Sequence, residues 1–424
     1  MIITAALRGQ LSLIIAALLL AACFTACSKK QSKNQMTVYK NVNGYTFHNG
    51  ELAEFSAIAF KEGKIVDVAF ERELSVDTAS ARVIDGNGKS MLPGLTDAHG
   101  HIMGLGFQEI SLDVGGISSL DSTLKKIKLF AENNPDRNWI RGGGWNQVIW
   151  QLGRFPTAAE LDKAVDERPV WLTRVDGHAG WANTKAMEKA GITKETQAPE
   201  GGKIIRDDNG NPTGVFVDAA QSLISSAIPD YTDEEQNIAL TKALQKIRAN
   251  GLTSVHNAGI YASTWKLYKE FADKNKLTVR INAMIRGAGD NFDKLSKNGP
   301  IKSYDDNMLS LQSVKLFADG ALGSRGAALL QPYSDAPGNS GLLFNMQEEM
   351  NRKVMKAASK GYQVNIHAIG DAANRQVLNA FEAAKDSLGN QGLRFRVEHA
   401  QIVDLNDIPR FKELNVIASM QPTH

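Results

Sequence analysis

The chain has 424 residues, 43% hydrophobic and 22% charged, enough to bury one large core and carry accessory domains. Lys and Arg number 48 against 46 Asp and Glu, a formal net charge of +2. That balance, with no basic stripe and no interleaving of basic and aromatic residues, argues against a nucleic-acid partner.

Met1 to about Cys27 reads as a targeting segment. Arg8 supplies positive charge, and the apolar run Leu11 to Ala22 is too short for a permanent membrane span. Small residues precede a cysteine twice. Leu20-Ala21-Ala22-Cys23 has the form of a bacterial lipobox, and Phe24-Thr25-Ala26-Cys27 is a second candidate; a plain secretory signal is the alternative. Lipidation at Cys23 or Cys27 would anchor the protein to a membrane of the bacterial cell envelope, facing outside the cytoplasm. These are the only cysteines, so the mature domain has no thiol for catalysis, a disulfide or a zinc ligand. Residues 28–36 are polar and lysine-rich, a tether.

From 37 to 95 the pattern is short strands and turns. Ser56–Phe60, Lys61-Glu-Gly-Lys64 and Ile65–Phe70 predict a β-hairpin; Ala81–Asp85, Gly86-Asn-Gly-Lys89 and Ser90–Leu92 predict a second. The next stretch, Asp97-Ala98-His99-Gly100-His101, places two histidines two apart on a strand. They share a face and can hold one divalent metal from one side; ordinary half-exposed histidines are the alternative.

Segment 104–249 changes character. Leu120–Asn133 is predicted helical, Trp139–Trp145 extended and glycine-rich, and Thr157–Ala164 a short helix capped by Thr157. Val170–His178 reads as a strand ending at a histidine. Thr232–Asn250 is a longer amphipathic helix, opened by a Thr232/Glu235 capping box and closed at Gly251. Strands then recur at 252–257, 277–285, 313–318, 362–368, 395–400 and 416–420, with helices such as 348–360 and 372–387 between them. Alternating strand and helix predicts an α/β fold of parallel βα units. With the histidine-pair strand this makes seven barrel strands, where a TIM-type (β/α)8 barrel has eight.

Polar residues at the C-terminal ends of barrel strands belong to active sites. Lys315 lies alone in an apolar strand, His367 ends another, and His399 lies in Arg396-Val-Glu-His-Ala. Each alone could be structural: Lys315 an ion-paired core lysine, each histidine a hydrogen-bonded strand end. Together at the strand ends of one barrel they point to a metal site. A lysine desolvated beside metal cations should lose its proton, and could then form a carbamate with carbon dioxide.

The runs Pro93-Gly-Leu-Thr-Asp-Ala-His-Gly-His101, Gly143-Gly-Trp-Asn146, Asp176–Asn183, Gly251–Asn257, Val314–Arg325, Ile366–Asp371, Glu398–Gln401 and Met420–His424 resemble the amidohydrolase superfamily. The likeness is to the amidohydrolase-3 branch that includes N-substituted formamide deformylase-like proteins, and it covers nearly the whole mature chain. It implies a TIM-type metal-dependent hydrolase barrel, incomplete here (96–103 and 250–424), a small, partial N-terminal β-sandwich (37–95) and an insertion (104–249) covering the pocket. It implies His99 and His101 on a first divalent metal, zinc being the expected ion, with a carbamate on Lys315 as bridge and His367 and His399 on a second metal. His178 and Trp145 would face a small-molecule substrate, with a structural role as the alternative. Arg325 would orient a polar substrate group or simply pair with an acid. The implied activity is hydrolysis of carbon–nitrogen, non-peptide amide-type bonds by a metal-activated hydroxide. Ester hydrolysis, deamination or a catalytically dead metal-binding lipoprotein are the alternatives. The family's eighth strand carries an aspartate that binds metal and shuttles the proton; this sequence stops at His424 before it, which reads as a fragment. Homo-oligomerisation is left open.

Overall fold

The computed structural model describes residues 35–389 and 391–421. The candidate lipidation sites Cys23 and Cys27 lie outside the described residues. No helix among those described is long and apolar enough to cross a membrane. The chain divides into two compact units, Met1–Gly94 and Leu95–His424.

The first unit is a sheet of β1 (Thr37–His48), β2 (Glu51–Lys61), β3 (Lys64–Ala69) and β4 (Arg82–Met91), in the order β3-β2-β1-β4. β2 and β3 form the expected hairpin, closed at Glu62 and Gly63, both with positive φ. The second expected hairpin is not one. Both halves of 82–91 pair with β1 in the same parallel direction, Thr37↔Arg82 to Lys40↔Asp85 and then Val42↔Lys89 to Gly44↔Met91. Gly86-Asn87-Gly88 is a bulge instead, with φ of 51° at Asn87 and 69° at Gly88, conformations that Asn and Gly tolerate best. Among the described residues this unit holds one four-stranded sheet.

The second unit opens with β5 (Leu95–Gly100). A separate mixed sheet follows: β6 (Leu112–Asp113), β7 (Ile140–Trp145), β8 (Val170–Arg174), β9 (Ala179–Ala182), β10 (Gly202–Arg206) and β11 (Pro212–Asp218), ordered β10-β11-β9-β8-β7-β6. Alternate residues feed two cores. Val170, Leu172, Trp181 and Val215 join Trp145 and Trp150 in one cluster, while Trp171, Ala182 and Phe216 enter the other. Gly180 is obligatory, because a Cβ there would lie 1.9 Å from the Trp171 ring. The expected helices at 158–162 and 233–249 both carry complete capping boxes, Thr157/Glu160 and Thr232/Glu235. The helices at the two ends of 104–249 belong with the barrel: Ile102 from helix Ile102–Ile110, and Leu240, Ala243, Leu244 and Ile247 from Asp233–Ala249, join its core.

Then come β12 (Leu252–Ile260), β13 (Arg280–Arg286), β14 (Ile301–Tyr304), β15 (Leu309–Phe317), β16 (Gln363–Ala368), β17 (Arg396–His399) and β18 (Ile417–Ser419). Six of these strands and β5 are parallel and run in the order β18-β17-β16-β15-β13-β12-β5, with β14 an antiparallel addition beside β15. These are the seven strands expected, in the nearly closed arrangement of a TIM-type barrel. Val314, Leu316, Val364, Ile366 and Val397 are buried on strands covered on both faces, which is why the segments read as apolar runs. Among the described residues β5 pairs only with β12, and β18 only with β17.

Candidate metal centre

Four imidazoles meet at the C-terminal ends of the barrel strands. His99 lies at the end of β5 and His101 caps the helix that follows; their ring centroids are 5.5 Å apart. The His399 ring lies 4.7 Å from His99 and 4.6 Å from His367. Strand alternation would send Glu398 and His399 to opposite sides. It fails here because His399 has φ of 80° and Ala400 φ of 46°, left-handed backbone costly for a non-glycine residue. Both side chains therefore reach His99.

Glu398 is fully buried and accepts from His99 Nδ1 at 2.6 Å. Arg396 Nη2 lies 2.7 Å from the other Glu398 oxygen and donates to the Ala98 carbonyl and Ser419 Oγ. Arg396 Nη1 lies 2.9 Å from Nδ1 of His256, and the acceptor there must be the imidazole. Burial alone would push the Glu398 carboxyl up; His99, Arg396 and Ser419 outweigh it and hold it at about 2. Burial brings His367 and His399 down to about 4, and lowers His256 and His101 as well. His367 and His399 are thus neutral at pH 7, the form that binds metal.

Lys315 is 1% exposed, and burial brings its ammonium down to about 8, opposed by Glu398 and assisted by the charges of Arg286 and Arg396. The strand-to-loop turn beyond it is tied by Asp319, whose carboxylate accepts from the backbone N–H groups of Ala328, Ile369 and Gly370. The carboxylate also lies 3.6 Å from His367 Nε2, which donates to the Gly320 carbonyl.

As they stand, no three His, Cys, Asp or Glu side chains among the described residues gather as a metal shell; the imidazoles form a row of neighbouring rings. The donor chemistry fits a divalent ion nonetheless. The His99 Nδ1–H is committed to Glu398 and the His399 Nδ1–H to Gln421 Oε1, which directs Nε2 of each toward a ligand, the outer-sphere pattern typical of metal-binding histidines. Glu398, Arg396, His256 and Asp319 carry no role in the sequence reading. Their signal was present as charged residues inside apolar strands, but pairing across the barrel cannot be read from one strand.

Three expected substrate contacts lie apart from this centre or are committed elsewhere. Trp145 is a core residue: it is fully buried and its indole N–H donates to the Leu172 carbonyl, so it does not face substrate. His178 is on a loop, its side chain 73% exposed and its Nδ1 2.8 Å from Asp218, which raises its pKa. Arg325 is exposed and forms a two-point pair with Asp335, the second of its expected roles.

The Amidohydro_3 model, that of an amidohydrolase family, matches residues 82–424. The chain is 35% identical over 343 residues to the putative amidohydrolase YtcJ of Bacillus subtilis, covering 79% of this chain and 63% of that protein. It is 30% identical over 373 residues to the N-substituted formamide deformylase of Arthrobacter pascens, covering 85% and 68%. It thus spans about two thirds of the length of these relatives. The crystal structure of an uncharacterized metal-dependent hydrolase from Pyrococcus horikoshii superposes with a TM-score of 0.75 at 28% identity, covering 92% of this chain and 75% of that one. By sequence and by fold, the chain belongs to the amidohydrolase family.

Proposed function

We propose that this protein is a metal-dependent hydrolase of non-peptide carbon–nitrogen bonds, with His99, His101, Lys315, His367 and His399 holding one or two divalent ions, zinc first among them given imidazole-rich ligation. The observation that carries the reading is a fully buried lysine beside a row of four imidazoles at the strand ends of one barrel. When bound, the metal supplies acidity to a water and polarisation to a carbonyl.

The chain's own residues prepare that chemistry. Arg396 fixes Glu398, and Glu398 fixes the His99 ring through Nδ1. Asp319 holds the turns around His367. The desolvated Lys315 amine adds to carbon dioxide: a nitrogen–carbon bond forms, one N–H proton leaves to water, and two carbamate oxygens replace a cation with an anionic donor pair. The formamide deformylase among the relatives supports an amide-type substrate.

The test is turnover by the zinc-loaded protein of a panel of N-formyl and N-acyl amines beside matched esters and aminated heterocycles. Amide turnover above the others supports the reading; preference for esters or deamination overturns it, as does no turnover at all. The lipobox-like runs support lipid anchoring at the bacterial envelope. Changing Cys23 and Cys27 together to Ser should release or misprocess the protein, and unchanged membrane fractionation after correct cleavage contradicts anchoring.

A further inference from the structure

We infer that Arg286 recognises an anionic group of the substrate, so that the amide hydrolysed carries a carboxylate, as an N-acyl amino acid does. The inference rests on the hydrolytic reading of the site and adds the substrate class.

Arg286 is the last residue of β13 and pairs in register with Lys315 on β15. Register partners on parallel neighbours project to the same face, so both side chains stand on the barrel's inner side. A Cβ built on Gly259 of β12 would lie 3.6 Å from Lys315 Cγ and 3.7 Å from Arg286 Cβ, one point flanked by both side chains. The guanidinium lies 4.7 Å from the centroid of Phe317, and that ring is 4.5 Å from Lys315 Nζ and 5.6 Å from the His367 ring. The Tyr261 ring centroid lies 5.8 Å from the guanidinium. The positive charge of Arg286 also contributes to lowering Lys315 and His101.

Arg286 is exposed and forms no ion pair among the described residues. Other arginines do: Arg396 with Glu398, Arg325 with Asp335, Arg375 with Asp407. The acids of the centre are engaged already. Glu398 serves Arg396 and His99, Asp319 accepts three backbone N–H groups, and Asp97 accepts the His99 N–H. A guanidinium placed against aromatic rings keeps its N–H edge for a planar two-oxygen partner, the geometry of a carboxylate. Arg286 pairs with no carboxylate side chain among the described residues, and a carbamate on Lys315 would be committed to the metal, which leaves that partner to the substrate.

The experiment has a binding arm and a kinetic arm. Zinc-loaded wild type, Arg286→Lys and Arg286→Met are titrated calorimetrically with phenylacetate and with neutral phenylacetamide. Loss of a charge-assisted, two-point contact should weaken phenylacetate about 10- to 100-fold in Arg286→Met, less in Arg286→Lys, with phenylacetamide little changed. In the kinetic arm, the kcat/KM ratio of N-formylphenylalanine to N-formylphenethylamine should fall by a similar factor in Arg286→Met. Unchanged phenylacetate binding overturns the inference. Equal loss of both ligands together with lost zinc also overturns it, since Arg286 would then serve Lys315 and the metal. If wild type hydrolyses neither formamide, the hydrolytic reading fails, while the binding arm still decides whether Arg286 selects anions.

Discussion

His99 Nδ1 lies 2.6 Å from Glu398 Oε2, a contact between residues 299 positions apart that ties the first barrel strand to β17. Arg396 reinforces it by donating to the Ala98 carbonyl beside His99. Both contacts cross from β17 to β5, which share no backbone ladder among the described residues.

Glu398→Gln should therefore weaken metal binding by about 10–100-fold, the usual cost of removing a partner behind a metal-binding histidine. A competition titration with a zinc chelator checks it. Glu398→Ala should in addition destabilise the fold by about 3–5 kcal/mol, because it leaves the buried Arg396 charge uncompensated. Denaturant unfolding would show that difference between the two variants.

Acid should unfold the metal-free protein in two stages. His367 and His399 fall from 6.5 to about 4 in the fold, so below pH 6.5 the unfolded chain binds protons that the folded chain does not. Stability is full above that value and declines as pH falls toward 4. Glu398, lowered from 4.5 to about 2, removes more between those values. Unfolding midpoints in urea from pH 8 to pH 3 test this; a flat profile between pH 6.5 and 4 contradicts it.

Lys315→Ala should abolish activity and lower metal content, and short carboxylic acids should restore part of both by standing in for the carbamate oxygens. Mass analysis of the intact, metal-loaded protein under bicarbonate should show the added carbon dioxide. An unmodified amine in active protein contradicts the carbamate.

Trp145→Ala should cost about 3–5 kcal/mol of stability, as expected for an aromatic deleted from a packed core. The Trp145 contacts with Trp150, Phe155 and Trp181 all lie within segment 104–249. Thermal unfolding measures the loss. A stable variant with a raised KM would restore Trp145 as a substrate contact.

The barrel was legible because its strands are covered on both faces and read as apolar runs between amphipathic helices. The cap at Thr157 and the capping box at Thr232 showed where two helices begin. Gly86-Asn87-Gly88 misled, since the same residues that close a hairpin also accommodate a bulge, and only the pairing partner β1 distinguishes the two. Trp145 misled for a related reason: a glycine-rich strand suggests an open loop, but its glycines admit neighbouring backbone and side chains into a dense core. The histidines and Lys315 were legible as polar residues ending apolar strands. Arg396, Glu398 and Arg286 were not, because their meaning lies in partners on other strands. The positive φ that turns His399 toward His99 leaves no mark on residue identity.

The central claim is that the four histidines and Lys315 form one metal site. Metal analysis of the purified protein and of His99→Ala with His101→Ala tests it most directly. The account predicts up to two divalent ions per chain in the wild type and loss of at least one in the double variant, with the fold retained. Unchanged metal content in a folded double variant would contradict it.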